Sequence, residues 1–292
     1  MRPADTGAIP SGHPGGAAAG YQPGRTLSLR LEVRRQLGRR RTQLTLGFLV
    51  ILPFLLVLAF KLGSSNSGGA PGLVDLATTG AANFTLFTLF AATGFLLVVV
   101  VALFAGDTVA SEASWSSLKY LLAAPVPRGR LLRQKLLVAL GYGGFALVLL
   151  PVVALIAGAV FFGLAPARTP LGTTISNPVA LGRLAIIVGY LAVSLLFVAA
   201  LAFLIGVYTD APLGAVGGAV LLVIVSNILD AVPALGGLRH VLPTHYSYAW
   251  TDVLGPTISW GQMARGALWS IGYTAVLLAF AWRQFLRKDI LS

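Results

Sequence analysis

Few side chains in this sequence are equipped for chemistry. Cysteine is absent, which excludes disulfides, thiolate nucleophiles and cysteine-ligated metals. His240, His245 and Asp252 lie in one short stretch and are numerous enough to ligate a metal ion. Their spacing fixes no such geometry, because HxxxxH is not the i, i+4 pair that sets two imidazoles on one helical face. Tyr246, Tyr248, Trp250 and Trp260 around them are typical of an interfacial aromatic belt, so a re-entrant or surface-lying cap is expected there, and no metal. Asp230 follows Asn227 at the close of an apolar run, and an ionisable group at membrane depth is a functional candidate by default. The competing reading is plain solvation at the membrane boundary. Asp230, Tyr246 and Trp250 are thus the candidates for a pathway or outer gate. No GxSG, HExxH or GxxxxGK[ST] element occurs, so no catalytic or cofactor-binding residue is expected, and the chain is not expected to be an enzyme.

The elements that must position these groups follow from composition. Of 292 residues, 57% are hydrophobic and 10% charged, against roughly 25% charged in ordinary soluble chains. The apolar residues fall in blocks of about twenty, the length at which a helix crosses a ~30 Å hydrocarbon core. An all-α, polytopic fold is therefore predicted, with six spans at about 44–62, 84–105, 136–162, 184–208, 213–229 and 264–282. Pro53 and Pro151 sit inside spans and are expected to bend them. Gly214 and Gly218 have GxxxG spacing, for which close packing within the chain is the expected use.

Residues 1–25 are rich in Gly, Ala and Pro and lack apolar periodicity, so a disordered cytoplasmic tail is predicted. They show no basic start, short apolar run and small-residue cleavage site, so removal as a secretory signal is not expected. From Leu27 to Thr42, apolar Leu27, Leu31, Val33 and Leu37 alternate with six arginines. That pattern predicts an interfacial amphipathic helix, the alternative being an extension of the first span with snorkelling arginines. Residues 26–292 form the six-span domain.

The net charge of +12 raises nucleic acid as a partner. The basic residues lie at the ends of apolar blocks, however, where they meet lipid headgroups, and nucleic acid is not expected. Outside the predicted spans, sixteen Lys and Arg fall on one side and five (Lys61, Arg168, Arg183, Arg239 and Arg265) on the other. The positive-inside rule then places both termini and the 106–135 segment in the cytoplasm.

That segment reads GDTVASEASWSSLKYLLAAPVPRGRLLRQK. Trp115, Leu118 and Leu122 recur at i, i+3 and i+7 with Leu121 beside them, giving a short helix one apolar face. Asp107 and Glu112 lie toward its N-terminal end, and Pro125 disfavours helix at Ala124. Arg128, Arg130, Arg133 and Lys135 mark the return to the membrane. A short amphipathic cytoplasmic helix is expected, which could simply lie on the bilayer.

The order of an acidic residue, a Leu-rich turn, Pro-x-x-Arg and a following Lys resembles the cytoplasmic signature of type-2 permeases of ATP-binding-cassette exporters. The matching positions are Glu112, Leu118, Leu121, Leu122, Pro125, Val126, Arg128, Leu131, Leu132 and Lys135. Ser116 and Ser117 depart from it, standing where Gly-Thr is usual, although Ser117 keeps a hydroxyl. The basic N-terminal helix, the six-span layout, LPTHYSYAW at 242–250 and FLRKD at 285–289 are similar to actinobacterial-type members, so the resemblance covers most of the chain from about residue 27. It implies that the segment around Glu112 to Ala124 is a coupling helix contacting a separate ATP-binding subunit, with Trp115, Leu118 and Leu122 as anchors. It also implies a second permease subunit, in a homo- or heterodimer, a bacterial plasma-membrane location, and ATP and magnesium bound by the partner. Two other readings remain: a membrane assembly or anchoring component using the same helix for docking, and an intramembrane enzyme. Pro10 to His13 also spell PSGH, similar to a motif of type-2 phosphatidic acid phosphatases. No Lys-Arg-Pro or Ser-Arg-His-Asp element accompanies it, and the match is read as accidental.

Overall fold

A computed structural model describes residues 28–63, 73–114, 128–168, 173–209 and 211–287. The predicted tail, the predicted coupling helix from Trp115 onward and the last residues of the FLRKD ending lie outside these. Among the described residues the chain is almost wholly helical. The helices are α1 Leu29–Leu37, α2 Arg40–Gly63, α3 Leu73–Ala77, α4 Ala81–Thr93, α5 Leu96–Ser114, α6 Arg128–Phe162, α7 Asn177–Ser194, α8 Leu196–Tyr208, α9 Pro212–Asp230 and α10 Gly261–Arg287. Five stretches are long and apolar enough to cross a membrane: α2, α6, α7 with α8, α9 and α10. The pair α4 and α5, bent by 60° at its break, makes a sixth if it is one span. Such helices mark a multi-pass membrane protein. They also carry their apolar side chains outward, as at Phe48, Ile51 and Phe54 on α2 and Leu268, Ile271 and Phe280 on α10, the inverse of a soluble bundle.

The helix interruptions do not fall at the prolines. α2 runs through Pro53 and α6 through Pro151 without interruption. The interruptions fall at Gly94–Phe95, between α4 and α5, and at Leu195, between α7 and α8. Carbonyls near the second break are still satisfied: the Ser270 hydroxyl on α10 hydrogen-bonds the oxygens of Val193 at 2.8 Å and Ser194 at 3.0 Å. A neighbouring helix thus supplies the polar contact that water cannot supply inside a bilayer.

α5 and α8 are the central pair, flanked by α6, α9 and α10. Phe104, Leu150, Ile187 and Phe203 are fully buried between them. The approach is closest where two glycines meet: a Cβ on Gly206 would lie 2.7 Å from the carbonyl oxygen of Gly106. The GxxxG residue Gly218 packs within the chain, with Ile205 3.4 Å from where its Cβ would stand. A second, smaller core of Val57, Phe84, Ala154 and Ala157 joins α2, α4 and α6.

Among the described residues β-structure occurs in one place. Ala167–Arg168 and Thr174–Ile175 pair antiparallel in a two-residue ribbon. Asn83, near the start of α4, extends it like a third strand: its amide donates to Arg168 O at 2.7 Å, and Arg168 N donates to its Oδ1 at 2.9 Å. Beyond α9, residues 233–254 form 3-10 turns rather than an α-helix, capping the bundle end opposite the arginine-rich one.

Candidate functional site

The arginine-rich end is organised by α1. Gly38 and Arg39 separate α1 from α2, so it is an element of its own, with Leu29, Leu31, Val33 and Leu37 exposed. Its remaining face is tied to the bundle. Glu32 accepts a 3.0 Å hydrogen bond from Lys135 Nζ on α6, and the Tyr142 hydroxyl donates to Val33 O at 2.6 Å. At the α1–α2 junction Arg39 donates to Asp107 Oδ2 at 3.0 Å and Arg41 to Asp107 Oδ1 at 2.8 Å. Asp107 and Lys135 are 3% and 4% exposed, so each pair has one nearly inaccessible member, while the Arg41 side chain stays in solvent.

These contacts place two of the sequence candidates and move one. Asp107 does not cap a separate short helix. α5 continues through it to Ser114, and two arginines, not a helix N-terminus, compensate its charge. Glu112 lies on the same helix. Trp115, Leu118, Leu121, Leu122 and Pro125 are outside the described residues, and Arg128 begins α6. The structure therefore brings the two flanks of that segment, Asp107 before it and Lys135 after it, onto the N-terminal helix and its hinge. Sequence reading missed the partners. A signal was present: Glu32 is the lone acid among the arginines of 27–42, on a helix read as lying at the membrane interface, where a carboxylate needs a cationic partner.

Burial alone would push the Glu32 carboxyl upward. Lys135, joined by Arg35 and Arg39, outweighs burial and holds it below its ordinary value. A lowered folded-state pKa means that the stabilisation is present above the unfolded pKa and lost as pH falls through the folded one. Glu32→Gln is expected to cost about 1.5–3 kcal/mol near neutrality, the range for hydrogen bonds to charged groups. The deficit should vanish as pH falls below about 4.5, checked by thermal unfolding of both chains across pH.

At the opposite end, the cap 233–254 is fastened by buried polar contacts. Ser226 and Thr244 share a 2.8 Å hydroxyl–hydroxyl bond, and the Tyr190 hydroxyl donates to Tyr246 O at 2.5 Å. Tyr246 and Trp250 are buried anchors under the cap, 6% and 1% exposed, and do not form an interfacial belt. Asp230 is not simply solvated. Its Oδ1 lies 2.6 Å from His245 Nδ1, and His245 Nε2 lies 3.0 Å from His240 Nδ1, giving a chain that reaches exposed His240. Arg239 Nε stands 3.5 Å from the same oxygen and, though buried, makes no hydrogen bond. Asp252 does not join them, and no group of three His, Cys, Asp or Glu among the described residues could hold a metal ion.

Asp230 and His245 line a cavity of about 340 Å³ between the two helix breaks and the cap. Thr93, Gly94, Ser194 and Leu195 come from the breaks; Val98, Leu191, Val198 and Val223 form an apolar wall; Asn227, Thr244, Ser247 and Tyr248 complete a polar one. Burial pushes the Tyr248 phenol above its usual range, with a hydrogen bond to the Gly94 backbone acting in the other direction, so it stays neutral. A second, nearly apolar cleft of about 330 Å³ lies between α4, the ribbon and the cap, with Arg168 at its lining.

Comparison with curated proteins finds none that matches the chain. Residues 51–291, most of the chain and nearly all of its apolar helices, match the model of the DUF2705 family, described as proteins of unknown function. The chain belongs to that family.

Proposed function

We propose that this chain is the membrane-spanning permease subunit of an ATP-driven transporter of the ATP-binding-cassette class, working as an exporter. In this reading α4 and α5 form one broken span, giving six, with both termini and the arginine-rich end in the cytoplasm, as the charge asymmetry favours. α1 lies in the inner membrane interface of a bacterial plasma membrane. Two such subunits, identical or different, enclose the path. A separate subunit binds ATP and magnesium and hydrolyses the nucleotide, since no phosphate-binding loop occurs in this sequence.

The observation that carries the reading is the resemblance of the 112–135 segment to the coupling signature, whose flanks are both held by the N-terminal helix and its hinge. A docking helix transmits force only if its ends are fixed to elements that move with the bundle. Asp107 and Lys135 provide two such fixed points.

Co-purification with a separate phosphate-loop ATPase subunit tests the proposal. Trp115→Ala with Leu118→Ala should weaken association ~30-fold or more, the effect of losing about 2 kcal/mol of anchor contacts, and lower coupled ATP turnover accordingly. Unchanged association and turnover would remove the coupling role. Failure of any phosphate-loop protein to associate with the wild-type chain would remove the permease reading itself.

A further inference from the structure

The cavity between the helix breaks and the cap has two unlike walls, and its polar wall has unused capacity. Both neighbours of Asp230, His245 and Arg239, act on Oδ1. Among the described residues no hydrogen bond engages Asp230 Oδ2, the Asn227 amide or the Ser247 hydroxyl, and all three residues line the cavity. The lining contains no lysine or arginine. Its one titratable base, His245, has both ring nitrogens occupied by Asp230 and His240. α9 ends at Asp230, so the negative end of that helix dipole adds to the carboxylate. An anion would meet the Asp230 carboxylate, whose one cationic neighbour among the described residues besides His245, Arg239, pairs with Oδ1 and does not line the cavity. A bare metal ion would find one carboxylate and a wall of Val98, Leu191 and Val223, which cannot replace its water shell.

We infer that this cavity is a binding site for a compact hydrophobic amine. The ammonium head donates to Asp230, Asn227 and Ser247, and the apolar body rests on Val98, Leu191 and Val223. The volume lies at the lower end of the range for small-molecule pockets, which favours a rigid body of few atoms over a long chain. An ammonium with three N–H groups matches the three acceptors that line the cavity, and the partial shielding of Asp230 from water strengthens the contact. The inference concerns binding and stands apart from the transport reading, since it requires neither ATP nor a partner.

The test uses three compounds with one body: 1-adamantanamine, 1-adamantanol and 1-adamantanecarboxylate, titrated calorimetrically into the full chain in phosphatidylcholine nanodiscs. The amine should bind saturably at one site per chain, at least tenfold more tightly than the alcohol, and the carboxylate should not bind. Asp230→Asn should weaken the amine at least tenfold. Because that variant also removes a partner of His245, Val223→Trp provides a second arm: it fills the apolar wall, leaves the Asp230–His245 contact in place, and should abolish binding. Equal affinity for the alcohol or the carboxylate, or undiminished amine binding in either variant, would overturn the inference.

Discussion

Asp107→Ala should uncouple the N-terminal helix from the bundle and lower stability by about 2–4 kcal/mol. Breaking a buried ion pair from one side typically costs ~3–5 kcal/mol, because the remaining charge loses its compensation. Asp107 is nearly inaccessible, while the side chains of Arg39 and Arg41 are 22% and 63% exposed, so solvent offsets part of the loss. Arg41→Ala, by contrast, should cost under ~1 kcal/mol, as exposed pairs do. Thermal unfolding of the detergent-solubilised chains measures both, and equal effects of the two substitutions would contradict the assignment of Asp107 as the buried acceptor. If the permease proposal holds, Asp107→Ala should also lower coupled ATP turnover without lowering affinity for the ATPase subunit, because the anchors Trp115 and Leu118 are untouched. That separates positioning of the docking segment from the docking contact itself.

Gly206→Leu should be more damaging still. At this point a Cβ already stands 2.7 Å from a backbone oxygen of α5, and the obstacle cannot rotate away as a side chain can. α5 and α8 must separate along the centre of the bundle, opening the packing around Phe104 and Phe203. Overpacking usually costs ~1–3 kcal/mol, and a backbone obstacle places this site at the top of that range or above. The expected outcome is loss of the monodisperse peak in size-exclusion chromatography. Gly217→Leu is the matched control, since a Cβ there meets nothing within 4 Å, and it should elute like the wild type.

The spans at 44–62, 213–229 and 264–282 could be read from sequence because their apolar runs are continuous and their ends are marked by charge or proline. They correspond to Arg40–Gly63, Pro212–Asp230 and Gly261–Arg287. The span at 184–208 begins earlier, at Asn177, since Ser176 and Pro178 open a helix before the apolar block begins. The break within 84–105 was not legible. Proline is the sequence's sign of a kink, yet the bend falls at Gly94, where a Cβ would stand 2.6 Å from the Tyr248 hydroxyl. It is the cap, more than 150 residues later in sequence, that occupies the space a straight helix side chain would need.

The candidate residues divide the same way. Hydropathy and helical period are local quantities, expressed within about twenty residues, and they sufficed to identify a multi-pass membrane protein with a concentrated basic end. They also placed Asp230 at a helix end, beside a stretch holding two histidines. Which carboxylate meets which cation is not local. The Asp107 contacts with Arg39 and Arg41 span 68 and 66 residues, and the Lys135–Glu32 contact spans 103. The sequence alone thus determined the solvent this chain folds in and its helices. The tertiary structure decided that Asp107 is clamped by arginines, that Asp230 heads a histidine chain, and that two helix breaks meet around a cavity, because burial and pairing of those charges depend on how distant helices pack.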